Sequence, residues 1–341
     1  MPVKSVADDL ESTISGALAQ RPAVSSIVAQ AASGGIKNVF FIGCGGSLYA
    51  SSPIGDVIAA RGRSLVAYRM DSGEFNYGPP AALGPDSLVV VGSHTGTTPE
   101  TIKAIDVARA HGPRAVLAIT RDPDSPLAAG ADHAFTYGSK HTVWEPKQVY
   151  LAQIGHGALL ACGDETQGEH DAALDAYNGL AGAVLDAIAA SEDYFAELAA
   201  ALASEPVIYV LGAGPSEDVA RCLSMCYLQE MQWLDSAAFN ANEFFHGAFE
   251  VVTDQTGVIL FLGQDHSRPI AERARTFLDK YARRAWTVDL AELALPGIPQ
   301  AYRGEVGPLV LGALGSRIAR HFEAVTGHDL DTRRYMHKVD Y

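Results

Sequence analysis

The chain is 341 residues long, 48% apolar and 19% charged, with a formal net charge of −15. The apolar fraction excludes a mostly disordered chain, and the length suggests about two domains at roughly 150 residues each. The acidity excludes binding nucleic acid or an anionic membrane through bulk charge, so any anion must be held locally by backbone N–H groups and hydroxyls.

The first residues carry Asp8, Asp9 and Glu11 and no apolar stretch of the signal-peptide kind. No run reaches the ~20 apolar residues of a membrane helix. A cytoplasmic protein without membrane contact is the expectation. The pattern then predicts a strand over 39–42, a helix over 47–61, a strand over 65–69 and another over 88–91. A helix over 98–111, a strand over 115–119 and an edge strand over 132–137 follow, and then an apolar helix over 148–162. The strands are apolar on both faces, as in a parallel sheet covered by helices. A polar stretch at 163–171 reads as a linker, and 174–203 as one long helix. A second set of elements runs from 207 to about 325.

The second set repeats the first. NVFFIGCGGS (38–47) matches PVIYVLGAGPS (206–216), with Gly43 and Gly212 at an offset of 169. SLVVVG (87–92) matches GVILFLG (257–263), with Gly92 and Gly263 at an offset of 171. Two features at nearly one offset argue for two copies of one unit. The expected fold is α/β, two tandem doubly wound domains, each a mostly parallel sheet flanked by helices. The expected division is 1–165, with an N-terminal helix, and 172–341, with a C-terminal tail. The four cysteines, Cys44, Cys162, Cys222 and Cys226, make no C-x-x-C pair. They suit a reducing compartment and no metal site.

Ligands of open α/β sheets bind beyond the carboxyl ends of the strands. Two loops stand there in the first copy, 43–47 and 92–98, and both lead into helix starts that favour an anion. The second carries Ser93, Thr95, Thr97 and Thr98. A helix cap requires one hydroxyl; four suit a phosphate cradle that needs no Lys or Arg. There is no G-x-x-x-x-G-K-[ST], and Gly43-x-Gly45 lacks a third glycine because position 48 is Leu48. In the second copy, 227–250 is rich in polar and aromatic residues. Glu230 near a helix end and His246 after Phe245 are candidates for proton transfer near neutral pH.

The loop Cys44-Gly45-Gly46-Ser47, the element Ser72-Gly73-Glu74-Phe75 and the loop 93–98 resemble the motifs of the sugar isomerase (SIS) superfamily. So does Glu243-Phe244-Phe245-His246-Gly247, with Glu230 sixteen positions before His246. The resemblance spans nearly the whole chain, as two tandem SIS domains. Within the superfamily, Trp144-Glu145 and the ending Asp331-Thr332-Arg333-Arg334-Tyr335 with Val339-Asp340-Tyr341 are similar to the fructoselysine-6-phosphate deglycases. Those enzymes are related to the isomerase half of glucosamine-fructose-6-phosphate aminotransferase, and no glutaminase domain like that of the latter is expected.

The resemblance implies a deglycase that hydrolyses 6-phosphofructosyl amines, which are Amadori products, to glucose 6-phosphate and an amine or amino acid. It gives Glu230 the proton transfer at C1, and His246 ring opening and protonation of the leaving group. It gives the phosphate to Ser47, Ser93, Thr95 and Thr98; Gly45, His94, Glu145 and Lys338 complete the substrate-binding set. No metal or cofactor is required. The family also implies a homodimer, with the active site near the subunit interface and the histidine often supplied by the neighbour. The sequence departs from the aminotransferase at His94, where a glutamine is usual, so this loop can carry another charge or contact. It departs again at Phe245, where relatives often have a basic or polar residue. Lys338 stands about where the aminotransferase keeps its imine-forming lysine. It leaves open an isomerase or glucosamine-6-phosphate deaminase, and a non-catalytic sugar-phosphate sensor is the reading from another class. Arg69, Glu145 and Arg334 are candidates for contacts with the amine.

Overall fold

The computed structural model describes residues 1–336 and 338–340. They form two compact units. One comprises 7–181 and 297–306; the other comprises 1–6, 182–296 and 307–341. No helix among the described residues is long and apolar enough to cross a membrane.

The first unit holds a five-stranded sheet of β1 (Asn38–Gly43), β2 (Val66–Asp71), β3 (Ser87–Gly92), β4 (Ala115–Thr120) and β5 (His133–Thr136). Their order is β2-β1-β3-β4-β5 and every pairing is parallel. The central strands β1 and β4 are buried at every residue, which accounts for their unbroken apolar runs. Strand order reverses between β1 and β3, and Gly43 is in register with Gly92. The two glycine loops therefore leave the sheet side by side, at the switch point where α/β proteins bind ligands. A Cβ on Gly43 would stand 3.2 Å from the Gly92 carbonyl oxygen, so the close approach of the loops favours glycine there.

The second unit holds β6 (Ile208–Gly212), β7 (Ser236–Asn240), β8 (Gly257–Leu262) and β9 (Arg284–Asp289). Its order is β7-β6-β8-β9, again all parallel, which is the first order without the last edge strand. The repeat extends to the backbone. Gly45 has φ +50° and Gly214, at the same offset of 169, has φ +53°.

Several elements differ from their expected form. The helix expected over 47–61 is two, Gly46–Tyr49 and Ser52–Arg61, and Pro53 sits in the first turn of the second. Proline has no N–H to continue an earlier helix but suits a helix start. The apolar helix begins at Trp144 and ends at Cys162, with Trp144 through Leu159 all buried. The helix expected over 174–203 is broken into Gln167–Asp175, the 3₁₀ turn Ala176–Gly179 and Leu180–Leu202.

The polar stretch at 163–171 is not an exposed linker. Asp164 accepts the backbone N–H groups of Arg63, Ser64 and Leu65 at 3.0, 2.9 and 2.9 Å. Thr166 and Glu169 form a reciprocal capping box that starts the next helix. Glu165 is buried against His156. The His156 ring is fully buried between two carboxylates, Nδ1 lying 3.0 Å from Glu165 and Nε2 2.7 Å from Glu305. Arg61 donates to both glutamates at 2.8 and 3.3 Å, and the Tyr177 hydroxyl donates to Glu305 at 3.1 Å. Both ring nitrogens face acceptors, so both carry protons. Burial alone would lower the His156 pKa, but the hydrogen bonds and charges of Glu165 and Glu305 prevail and raise it to about 9. Glu305 reaches this cluster from the segment 297–306, which belongs to the first unit although it follows most of the second in sequence.

Candidate active site

In the first unit, the two loops at the switch point are lined with hydroxyls. Ser93 is almost fully buried; its hydroxyl lies 2.9 Å from that of Thr98 and accepts the Gly96 N–H at 3.1 Å. The Thr95 hydroxyl lies 2.7 Å from that of Thr97. Gly96 has φ +68° and runs so close to Ser125 and Thr120 that a side chain there would collide with both. Thr98 stands at the N-cap of the helix Pro99–Ala110, yet its side chain makes no capping hydrogen bond. Its hydroxyl turns to Ser93 instead. The N-terminal N–H groups of that helix thus keep their capacity for an external anion, which an ordinary cap would have used.

Ser47, on the first loop, accepts the ammonium of Lys147 at 2.9 Å. Lys147 is buried on the helix Trp144–Cys162. The hydroxyl loops were expected to hold a phosphate without Lys or Arg; the structure sets Lys147 against the Ser47 hydroxyl. Position alone hid Lys147, for it follows the loop by a hundred residues. The sequence signal was a lysine at the start of a helix that turns apolar after it, since lysine is rarely buried without a partner.

His94 adds a contact but no charge. Its Nδ1 lies 2.7 Å from the Tyr137 hydroxyl. Burial, then Lys147, Arg121, His141 and Lys140, pushes the His94 imidazole down to about 3. Burial also raises the Tyr137 hydroxyl well above its ordinary range. Burial thus favours the neutral form of both groups around neutral pH. Arg69 lies on β2 and donates to Ser51 at 2.9 Å, beside the first loop.

Glu145 is buried in the first turn of the Trp144–Cys162 helix. Burial, assisted by the charge of Asp9, raises its carboxyl to about 7. Nearby on the same helix, the Trp144 indole N–H and both amide atoms of Gln148 are buried without a hydrogen-bond partner among the described residues.

The corresponding crevice of the second unit differs in charge. Asp265 stands after β8, where it accepts the Ser267 backbone N–H at 2.8 Å and the Ser267 hydroxyl. A Cβ on Gly263 would meet both Asp265 and Ser216. The repeated turn is kept, but a carboxylate stands at its mouth, and a carboxylate repels phosphate.

Elsewhere in the second unit lies a cavity of about 550 Å³ lined by Gln229, Glu230, Trp233, Asp235, Arg333 and Arg334 among others. Glu230 is on the segment Cys222–Met231, whose turns are of the π type rather than the expected α type. Such wide turns recur at functional sites. On the same segment Cys222 is buried and Cys226 half-buried. The Glu230 carboxylate pairs with Arg333 Nε at 3.0 Å, both side chains being half-buried. Arg334 rests on the face of Trp233, its guanidinium carbon 4.3 Å from the ring centre.

His246 ends the 3₁₀ turn Glu243–His246, after β7. It is exposed and has no hydrogen-bond partner among the described residues. No hydrogen bond joins it to Glu230. Phe245 lies under the Arg273 guanidinium, 4.2 Å from its ring centre. Lys338 is exposed and donates to the Arg333 carbonyl oxygen at 2.6 Å. Tyr341 lies outside the described residues.

The SIS domain family matches residues 35–152. The fructosamine deglycase FrlB of Bacillus subtilis is 35% identical over 308 residues, which cover 90% of this chain and 93% of that protein. The fructoselysine 6-phosphate deglycase of Escherichia coli is 24% identical over 314 residues, covering 92% and 89%. A crystal structure of a Bacillus subtilis protein described as a phosphosugar isomerase superposes with a TM-score of 0.89 at 33% identity, covering 96% of this chain and all of that one. The C-terminal domain of glucosamine-fructose-6-phosphate aminotransferase from Francisella tularensis shares the fold, with a TM-score of 0.78 at 13% identity and 95% of each chain covered.

Proposed function

Because this chain belongs to the SIS-domain family and stands near its fructosamine and fructoselysine 6-phosphate deglycases, we propose that it hydrolyses 6-phosphofructosyl amines to glucose 6-phosphate and a free amine. The observation that carries the proposal is the 35% identity to the Bacillus subtilis fructosamine deglycase, sustained over nine-tenths of both chains.

The reaction reverses an Amadori rearrangement. The sugar ring opens, a proton moves between C1 and C2 through an enaminol, and the resulting imine takes up water and releases the amine. One base must reach carbon and one acid must reach oxygen or nitrogen. In this reading Glu230 moves the proton at C1, and His246 assists ring opening and protonates the leaving nitrogen. Ser47, Ser93, Thr95 and Thr98 hold the phosphate together with Lys147, with Gly45 and His94 shaping the loops. Binding the far end of the sugar positions the reacting carbon. The uncapped helix start at Thr98 supports this assignment. Glu145 and Lys338 complete the substrate-binding set, and Lys338 Nζ donates to the Arg333 carbonyl oxygen.

We read the enzyme as a cytoplasmic homodimer in which His246 acts on a substrate bound by the neighbouring subunit. In support, His246 is exposed and lacks an orienting partner among the described residues. The test is a coupled assay in which glucose 6-phosphate release from 6-phosphofructosyl-lysine is read through a dehydrogenase. Glucosamine 6-phosphate, and fructose 6-phosphate with ammonia, run beside it. Release from the Amadori compound alone is expected; conversion of glucosamine 6-phosphate instead would move the protein to the isomerase and deaminase branch. Glu230→Gln and His246→Ala should each lower turnover by about 10²–10⁴-fold. Mixing the two inactive variants should restore activity if the pair meets across an interface; no restoration under subunit exchange rejects that arrangement.

A further inference from the structure

Four observations on the Glu230 cavity point to one element of its wall. Trp233 is 40% exposed and holds φ +57°, a conformation that a bulky side chain adopts at a cost. Its neighbours hold it there. Gln232 donates to the His328 carbonyl oxygen at 2.7 Å and accepts the Thr326 hydroxyl at 2.8 Å, and the His328 ring lies 4.3 Å from the indole. Arg334 covers the other part of the indole, 4.3 Å from its centre. The two arginines of the cavity differ in what they bind. Arg333 is paired with Glu230, whereas Arg334 has no carboxylate or hydrogen-bond partner among the described residues.

A guanidinium stacked on an aromatic face loses little further freedom when it binds, and its donors match a carboxylate. Resting on the deglycase reading above, we propose that Arg334 on Trp233 is the specificity element for the amine half of the substrate, taking a carboxylate on the guanidinium while the apolar stem lies along the indole. Asp235 lines the same cavity, so the site offers both signs of charge, as a free amino-acid end requires. The strained Trp233 backbone serves to present the indole to the cavity rather than to the core. An amine without a carboxylate leaves Arg334 unanswered and binds less tightly.

The test compares 6-phosphofructosyl-lysine with 6-phosphofructosyl-cadaverine, the same molecule without its carboxylate. For the wild-type protein, kcat/KM should be about tenfold higher for the lysine compound, with the difference in KM. In Arg334→Gln the ratio should fall to within about twofold. A wild-type ratio near one, or a ratio unchanged in Arg334→Gln, overturns the proposal. If the wild-type protein releases glucose 6-phosphate from neither compound, the deglycase reading fails, and calorimetric titration of the two compounds then decides the assignment. Tighter binding of the lysine compound that Arg334→Gln abolishes supports it; equal affinity, or no binding of either, overturns it.

Discussion

Replacing His156 by glutamine should destabilise the protein by an amount that shrinks as pH rises. The imidazolium lies between Glu165 and Glu305, with a pKa of about 9 in the folded chain against 6.5 in a free side chain. A group whose pKa is raised by folding stabilises fully below its unfolded pKa, and this contribution disappears as pH rises through the folded value. Between pH 7 and pH 10 the linkage amounts to roughly 2–3 kcal/mol. Breaking a buried ion pair costs on the order of 3–5 kcal/mol in its own right, so the variant should be much the weaker at pH 7. The assay is urea unfolding of wild-type and His156→Gln proteins from pH 7 to pH 10. Taking the difference at each pH cancels the lysines, tyrosines and cysteines that titrate in both. The difference should narrow by roughly 2–3 kcal/mol over this range. A difference that stays flat would mean that the ring is not an imidazolium in the folded protein, and the account of the cluster would fall.

Lys147→Met should raise KM for the sugar phosphate on the order of tenfold and weaken inhibition by inorganic phosphate to a similar degree; an unchanged phosphate inhibition constant would remove Lys147 from the cradle. Glu145→Gln should be stabilising by under about 1 kcal/mol at pH 5 and by about 3 kcal/mol at pH 8. The folded carboxyl, near 7, resists ionisation that the unfolded chain completes around 4.5, so wild-type stability falls as pH rises between these values. Thermal unfolding of both proteins at the two pH values checks the sign, and an equal effect at both would refute it.

The sheets were legible because their signal is local. β1, β3 and β8 are apolar runs closed by glycine, and a buried parallel strand permits little else. The match of Gly43 with Gly212 was legible for the same reason, and the positive φ of Gly45 and Gly214 two residues on shows that the turn itself repeats. Failures occurred where the partner is distant in sequence. Asp164 and Glu165 read as linker residues because nothing adjacent reveals the backbone N–H groups near Leu65 or the ring of His156. Lys147 escaped notice because its hydroxyl partner is Ser47, a hundred positions earlier. The wide turns under Glu230 have no sequence signature distinct from an ordinary helix. His94 could be found but not its charge, which depends on burial and on four cationic or titrating neighbours.

The two units exchange chain. Lys4, from the first six residues, pairs with Glu323 and Asp329 in the last part of the sequence, and Glu305 returns to His156. For a chain made from its N-terminus, this sets an order of assembly. When residue 181 leaves the ribosome, the first unit has its sheet and its hydroxyl loops, but His156 faces one carboxylate instead of two. The second carboxylate arrives only after all of β6 to β9 has been synthesised. Neither unit can be cloned as one uninterrupted stretch without losing a buried charge partner. During synthesis, the first unit must therefore wait, open at that point, for most of the second.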